Sequence, residues 1–207
     1  MRYKLLLFDL DGTLLKSDKT ISEHTLSVLN KCRSNGLMIG VSTSRSEQNS
    51  MEFLSQLFPD ILISSGGALV KQNQSWGDSI YTDFKNFNQT ALKMCVEIYD
   101  SNAADKLKKT LTDCDCIRFS DGFWYKFTKK GVTKENAIKK ICSSCDITPE
   151  NIIAFGDDLA DIGMLKLCGM GIAMGNAIQE VKDIADVVIG TNDNEGIASF
   201  LVKEFEL

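Results

Sequence analysis

The chain has 207 residues, 43% hydrophobic and 25% charged, with a net charge of -5 and a pI near 5.0. That is the composition of a globular protein of one or two domains, long enough to bury on the order of 70% of the surface its unfolded form exposes. It has no basic stripe for nucleic acid, and its longest apolar runs fall far short of a membrane span. The N-terminal MRYKLLLFDLDG meets acids too soon to read as a secretory signal. Seven cysteines, an odd number, fit reduced thiols and a cytoplasmic location. Cys32, Cys95 and Cys168 fall in apolar helical patterns and read as small core hydrophobes. Cys114-x-Cys116 and Cys142-x-x-Cys145 have spacings that could hold zinc, but no histidine stands near either pair. The single histidine, His24, starts a helix and reads as a surface residue.

Tyr3 to Leu10 reads as a buried strand that runs into Asp9, Asp11 and Gly12. Ser22 caps a helix that Asn35-Gly36 stops. Leu37 to Thr43 is a second strand. Glu47 to Phe58 is a second helix with Met51, Leu54 and Leu57/Phe58 on one face, closed by Pro59. Ile61 to Ser64 is a third strand, ended by Gly66-Gly67. Alternating strands and helices with short links predict an α/β fold, a doubly wound parallel sheet.

The pattern changes over 68–130. Asn88 to Tyr99 reads as a helix, with Leu92, Cys95 and Tyr99 in register, and Ala103 to Leu111 as another. Ile117 to Ser120 and Phe123 to Phe127 flank Asp121-Gly122, a strong hairpin signal. This stretch is expected to form a small inserted α+β cap, between core segments 1–67 and 131–207, that leans on the main domain. The α/β pattern then resumes. Thr133 caps a helix through Cys145, Asn151 to Phe155 is a strand that ends in Gly156-Asp157-Asp158, and a helix carries Asp161. Gly171 to Met174 and Val187 to Ile189 are the last strands, and a helix from about Gly196 closes the chain.

Asp9/Asp11, Thr43, Lys134 and Asp157/Asp161 all fall at strand ends or at a helix start beside them. In a parallel sheet those ends share one edge, where open α/β sheets bind ligands. Paired carboxylates are hard oxygen ligands that suit Mg²⁺, and Mg²⁺ suits phosphate substrates.

FDLDGTL, the strand ending in Thr43, Lys134 within GVTKENAI, and GDDLADIGML resemble, in order, the four motifs of the haloacid dehalogenase-like (HAD) phosphatases. GMGIAMGNA and ADVVIGTNDNEGIA look like the tail of the Cof-type sugar-phosphate branch. The plan is similar to archaeal phosphoglycolate phosphatases and sucrose-phosphate phosphatases, and the cap position resembles type IIB. The resemblance implies a Mg²⁺-dependent phosphatase of small phosphorylated metabolites. Asp9 would be the nucleophile that forms an aspartyl-phosphate. Asp11 would be the general acid and base. Thr43, Ser44 and Lys134 would hold the phosphoryl oxygens. Asp9, the Asp11 carbonyl and Asp157 would hold the metal, with Asp161 bound directly or through water. Arg118, Trp124 and Lys126 are the cap candidates for substrate contact, with Trp124 and Lys126 on one strand face and Tyr125 on the other.

The chain departs from the family pattern at Ser44-Arg45, at Ala160, where an Asn usually precedes the second motif-four Asp, and at Gly66-Gly67, usually Asn-Gly. Asp158 and Asn176 are candidates to replace the missing amide. Two further readings stand beside the phosphatase: a phosphomutase, and a regulatory or binding member of the fold that has lost efficient turnover. The oligomeric state is not legible in the sequence.

Overall fold

The computed structural model describes residues 2–72, 93–119 and 122–207. The chain begins with β1 (Leu5–Phe8), every residue of which is buried. Helix α1 (Glu23–Ser34) follows, and the Ser22 side chain accepts from Thr25 N at its cap. Next come β2 (Met38–Ser42), α2 (Met51–Leu57) and β3 (Ile61–Ser64). The second helix is shorter than expected. It starts with a 3-10 turn at Gln48–Ser50, and Phe58 ends it in a left-handed conformation. Phe53, Leu54 and Leu57 face inward, while Met51 and Phe58, expected on that face, are exposed.

The strand β4 (Leu69–Gln72) pairs antiparallel with β3. The main sheet therefore continues past residue 68, where the sequence pattern placed the start of the cap. Buried Glu47 holds this edge strand through an ion pair of 2.8 Å with Lys71.

Within the stretch expected to form the cap, a separate small module comprises β5 (Lys93–Glu97), α3 (Ser101–Thr110), β6 (Cys114–Arg118) and β7 (Trp124–Lys129). Its three strands lie in the order β5-β7-β6, all antiparallel. The expected hairpin is present as β6 and β7; Ser120 and Asp121 of its turn lie outside the described residues. Residues 93–97, expected to be helical, form a strand, and 88–92 lie outside the described residues. Pairing with β7 on every residue from Lys93 to Glu97 decides this stretch against its weak helical period. Cys95, read as a core residue of that helix, is consequently exposed. Ala104, Tyr125 and Phe127 form a small core between this sheet and α3.

The remaining elements rebuild the main domain. They are α4 (Lys134–Cys145), β8 (Ile152–Gly156), α5 (Ile162–Leu167), β9 (Met170–Ala173), α6 (Gln179–Lys182), β10 (Val187–Val188) and α7 (Gly196–Phe205). The sheet order is β10-β9-β8-β1-β2-β3-β4, with only β4 antiparallel. The chain leaves β1 toward β2 and β3, and later returns on its other side through β8 and β9. The crevice beyond β1 is therefore a topological switch point. Phe8 and Phe155, paired in register, stack with ring centroids 4.6 Å apart and anchor these central strands. Cys32 and Cys168 are buried as expected, and all seven cysteines are free thiols. Among the described residues, no helix is long and apolar enough to cross a membrane.

Phe155 lies between Phe8 and Phe200, the latter at 5.9 Å edge-on. Phe155→Ala is expected to destabilise the fold by about 3–5 kcal/mol in urea unfolding, the usual cost of emptying a packed aromatic site.

Candidate active site

The three adjacent strands β8, β1 and β2 deliver Asp157, Asp9 and Thr43 to one edge of the sheet. Asp9 is buried immediately beyond β1, its N–H donating to the Phe155 carbonyl. Asp157 follows β8 and accepts from Thr13 Oγ1 at 2.6 Å. Gly12 lets the two loops approach this closely: its φ is +75°, and a Cβ there would stand 2.3 Å from Asp157 Oδ2. Asp161 ends a 3-10 turn, and its Oδ2 accepts the N–H groups of Asp157 and Asp158. The cap geometry of that turn thus fixes the Asp161 carboxylate beneath the loop.

Lys134 opens α4, whose cap is Thr133 Oγ1 accepting from Asn136 N. Its ammonium is buried and donates to Asp9 Oδ1 at 2.7 Å and to Asp161 Oδ1 at 2.6 Å. Carboxylate oxygens of Asp9, Asp157 and Asp161 lie within 4.8 Å of one another. Lys134 thus pairs with two of the three clustered carboxylates, and Asp157 meets Thr13 instead. Burial, reinforced by Asp161 and Asp157, raises the Asp9 carboxyl well above the ordinary range despite Lys134. Burial likewise pushes Asp157 up to about 7 against the pull of Thr13. Burial alone would lower Lys134, but Asp161 and Asp9 outweigh it and hold the ammonium protonated. The excess negative charge is what a hard divalent cation would relieve. The donor set fits one: three convergent carboxylates with oxygen ligands.

Thr43 is buried, and its Oγ1 accepts from Arg45 N at 3.0 Å. Ser44 Oγ is buried with no hydrogen-bond partner among the described residues. An orphan hydroxyl at the end of β2 is a donor for an oxyanion.

Asp11 is placed differently from the other acids. It is half-buried, and Arg45 grips it with Nε and Nη2 at 2.6 and 2.7 Å while Lys19 donates at 2.9 Å. Burial would raise this carboxyl, but these cations win and hold it below the usual range. The role of Arg45 was not read from the sequence, where it stood only as a departure from the family pattern. A cation two residues beyond a strand-end Thr was the available signal.

The candidates to replace the missing amide are engaged elsewhere. Asn176 donates to the Gly12 carbonyl at 2.7 Å and accepts from Asn192 N. Asp158 Oδ1 accepts from Leu159 N, within its own turn. In the cap, Trp124 and Lys126 share a face as expected, Lys126 buried and Trp124 half-exposed. Arg118 pairs with Tyr125 and therefore lies on the opposite face, its Nε donating to the Gly122 carbonyl at 3.0 Å. The structure does not bring Arg118 to the side of Lys126. His24 is exposed.

Removing Lys134 leaves the buried acids without their counter-charge. Lys134→Met is expected to destabilise the fold by about 3–5 kcal/mol at pH 8. The loss should shrink at pH 5, where the raised carboxyls take up protons; urea unfolding at both pH values reads this.

A family model for haloacid dehalogenase-like hydrolases matches residues 6–83 and 72–201. The chain is 29% identical to a 5-amino-6-(5-phospho-D-ribitylamino)uracil phosphatase of Bacillus subtilis, with 98% of each chain covered. It is 26% identical to a phosphoglycolate phosphatase of Methanopyrus kandleri, covering 98% of this chain and 97% of the relative. In fold it is similar to a phosphatase of the haloalkanoate superfamily from Bacteroides thetaiotaomicron, with a TM-score of 0.85 at 22% identity, over 99% and 95% of the two chains. A subclass IIB sugar phosphatase superposes with a TM-score of 0.82 at 23% identity, over 98% and 99%. With the family model spanning most of its length and the acids of its motifs gathered at one sheet edge, this chain belongs to the haloacid dehalogenase-like hydrolases.

Proposed function

We propose that the protein is a Mg²⁺-dependent phosphatase of small phosphorylated metabolites. The observation that carries this reading is the cluster of Asp9, Asp157 and Asp161 beside the buried Lys134, at the switch point of the sheet. Relatives named as phosphatases, one acting on a ribityl phosphate and one on phosphoglycolate, support it.

Phosphate monoester hydrolysis is among the slowest uncatalysed reactions, with enzymatic accelerations up to ~10²¹, so several groups must act together. Asp9 attacks phosphorus and carries the phosphoryl group as an aspartyl-phosphate, which water then cleaves. Asp9, Asp157 and the Asp11 backbone carbonyl would hold Mg²⁺, and Asp161 would support it, directly or through water. The cation supplies charge compensation between the anionic nucleophile and the anionic ester. Thr43, Ser44 and Lys134 bind the phosphoryl oxygens, and Lys134 also fixes the Asp9 carboxylate. Asp11 protonates the leaving oxygen and later activates water. It does so only after leaving the Arg45 fork, because the paired carboxylate holds no proton at neutral pH.

The Asp11 clamp is also the observation that favours a second reading, a family member that binds phosphorylated ligands without turning them over. Phosphate release from a panel of phosphorylated metabolites separates the two. Release that needs Mg²⁺, stops in EDTA and is abolished by Asp9→Asn supports the phosphatase. A folded protein that releases nothing from any compound supports the binding role.

Metal binding should also depend on pH. The Asp157 carboxyl rises on folding from its model-compound value of 3.8 to about 7. The metal-free fold therefore keeps a proton that the unfolded chain loses between these values. This group's contribution to stability is full below the unfolded value and lost as pH climbs through about 7. A cation must displace that proton. Mg²⁺ is thus expected to raise the thermal midpoint more at pH 8 than at pH 5.5; an equal rise at both would exclude Asp157 as a ligand.

A further inference from the structure

Tyr125 and Phe127 on β7 pack toward α3, so Lys126 between them points to the other face of the small sheet. Lys126 pairs across the strands with Cys95, and Lys93 on β5 shares its face. That face is turned to the main domain: Lys93 Nζ donates to the Ser44 carbonyl. Lys126 is only 1% exposed. Its ammonium fills the notch above Gly66, where a Cβ would stand 2.4 Å from Nζ. Among the described residues, no hydrogen bond or ion pair holds this ammonium.

A buried lysine without a counter-charge is expensive, and proteins ordinarily pair it or neutralise it. Burial pushes Lys126 down to about 8; the neighbouring Lys134 and Lys93 push the same way, and Cys95 and Glu135 pull less strongly against them. The cost is met when an anion arrives. Position decides which anion. Phosphoryl transfer sets the leaving oxygen in line with and opposite the attacking one. Asp9 attacks from the floor of the main domain, so a group reaching in from the cap meets the leaving portion of the substrate.

We propose that Lys126, with Lys93 beside it, forms an anion subsite under the small sheet that receives a carboxylate or second phosphate on the leaving portion of the substrate. The inference rests on the phosphatase reading and narrows its substrates to those with a second negative charge. Gly66 belongs to the same device, since any side chain there displaces the ammonium.

The test compares matched esters: 2-phosphoglycolate against 2-hydroxyethyl phosphate for a carboxylate, and fructose 1,6-bisphosphate against fructose 1-phosphate for a second phosphate. The wild type should prefer the charged member of at least one pair by about 10–100-fold in kcat/KM, the scale of one hydrogen bond to a charged group. The pair that shows the preference identifies the anion. Both Lys126→Met and Gly66→Asn should collapse that preference; asparagine tolerates the left-handed backbone at position 66. Lys126→Met should also raise the thermal midpoint of the ligand-free protein, because it removes an unpaired buried charge. Equal use of both members in both pairs, a preference that survives both variants, or a lower midpoint in Lys126→Met would overturn the proposal. Should no ester be turned over, the phosphatase reading fails separately. Calorimetry with 3-phosphonopropionate against propylphosphonate then decides the subsite: tighter, Lys126-dependent binding of the former supports it, and equal binding overturns it.

Discussion

The architecture of the site depends on one imbalance: three clustered carboxylates, Asp9 and Asp161 buried and Asp157 half-buried, beside a single ammonium. Lys134 meets Asp9 and Asp161, and Asp157 turns instead to the Thr13 hydroxyl. The surplus charge is held there by the fold. Packed strands on both sides of β1 and a capped turn beneath Asp161 leave the acids no room to separate. Natural structures place such uncompensated groups where function requires them, since burial without a partner weakens the fold. It is the kind of imbalance that a hard cation at the floor of the site would relieve.

The roof of the site carries the opposite sign. The small sheet turns Lys93 and Lys126 toward the main domain, and Lys126 lies over Gly66, held by no hydrogen bond or ion pair among the described residues. Acids below and lysines above form a gradient suited to an anion held over a metal. Charges in a water-poor cleft act more strongly than on an exposed surface. Asp11 stands outside this gradient, neutralised by Arg45 and Lys19 at the rim. That pairing links the conformation of the β1 loop to the loop after β2, so the two are positioned together.

Much of the main domain was legible in the sequence, because its strands are short apolar runs ended by Gly, Asp or Thr. Asp9, Thr43, Lys134, Asp157 and Asp161 stood out as candidates for the same reason: each sits where an element begins or ends. The cap was read less well. Residues 93–97 carry a helical spacing and become a strand, since pairing with β7 outweighs a weak local preference. Arg118 looked equivalent to Lys126 but faces the opposite way. Its direction follows from which β7 residue it pairs with, a register that residue types alone do not specify.

By itself the sequence determined the α/β architecture, the order of the motifs and the identity of the acids, because hydrophobic period and turn residues are local properties. Tertiary structure alone decided their partners. Lys134 reaches Asp9 across 125 residues of chain, and Arg45 reaches Asp11 across 34. Lys126 comes to rest over Gly66 only because the cap sheet folds down on that side. Such pairings are fixed by crossover handedness, strand register and the space a missing side chain leaves. Those quantities exist only once the elements are packed.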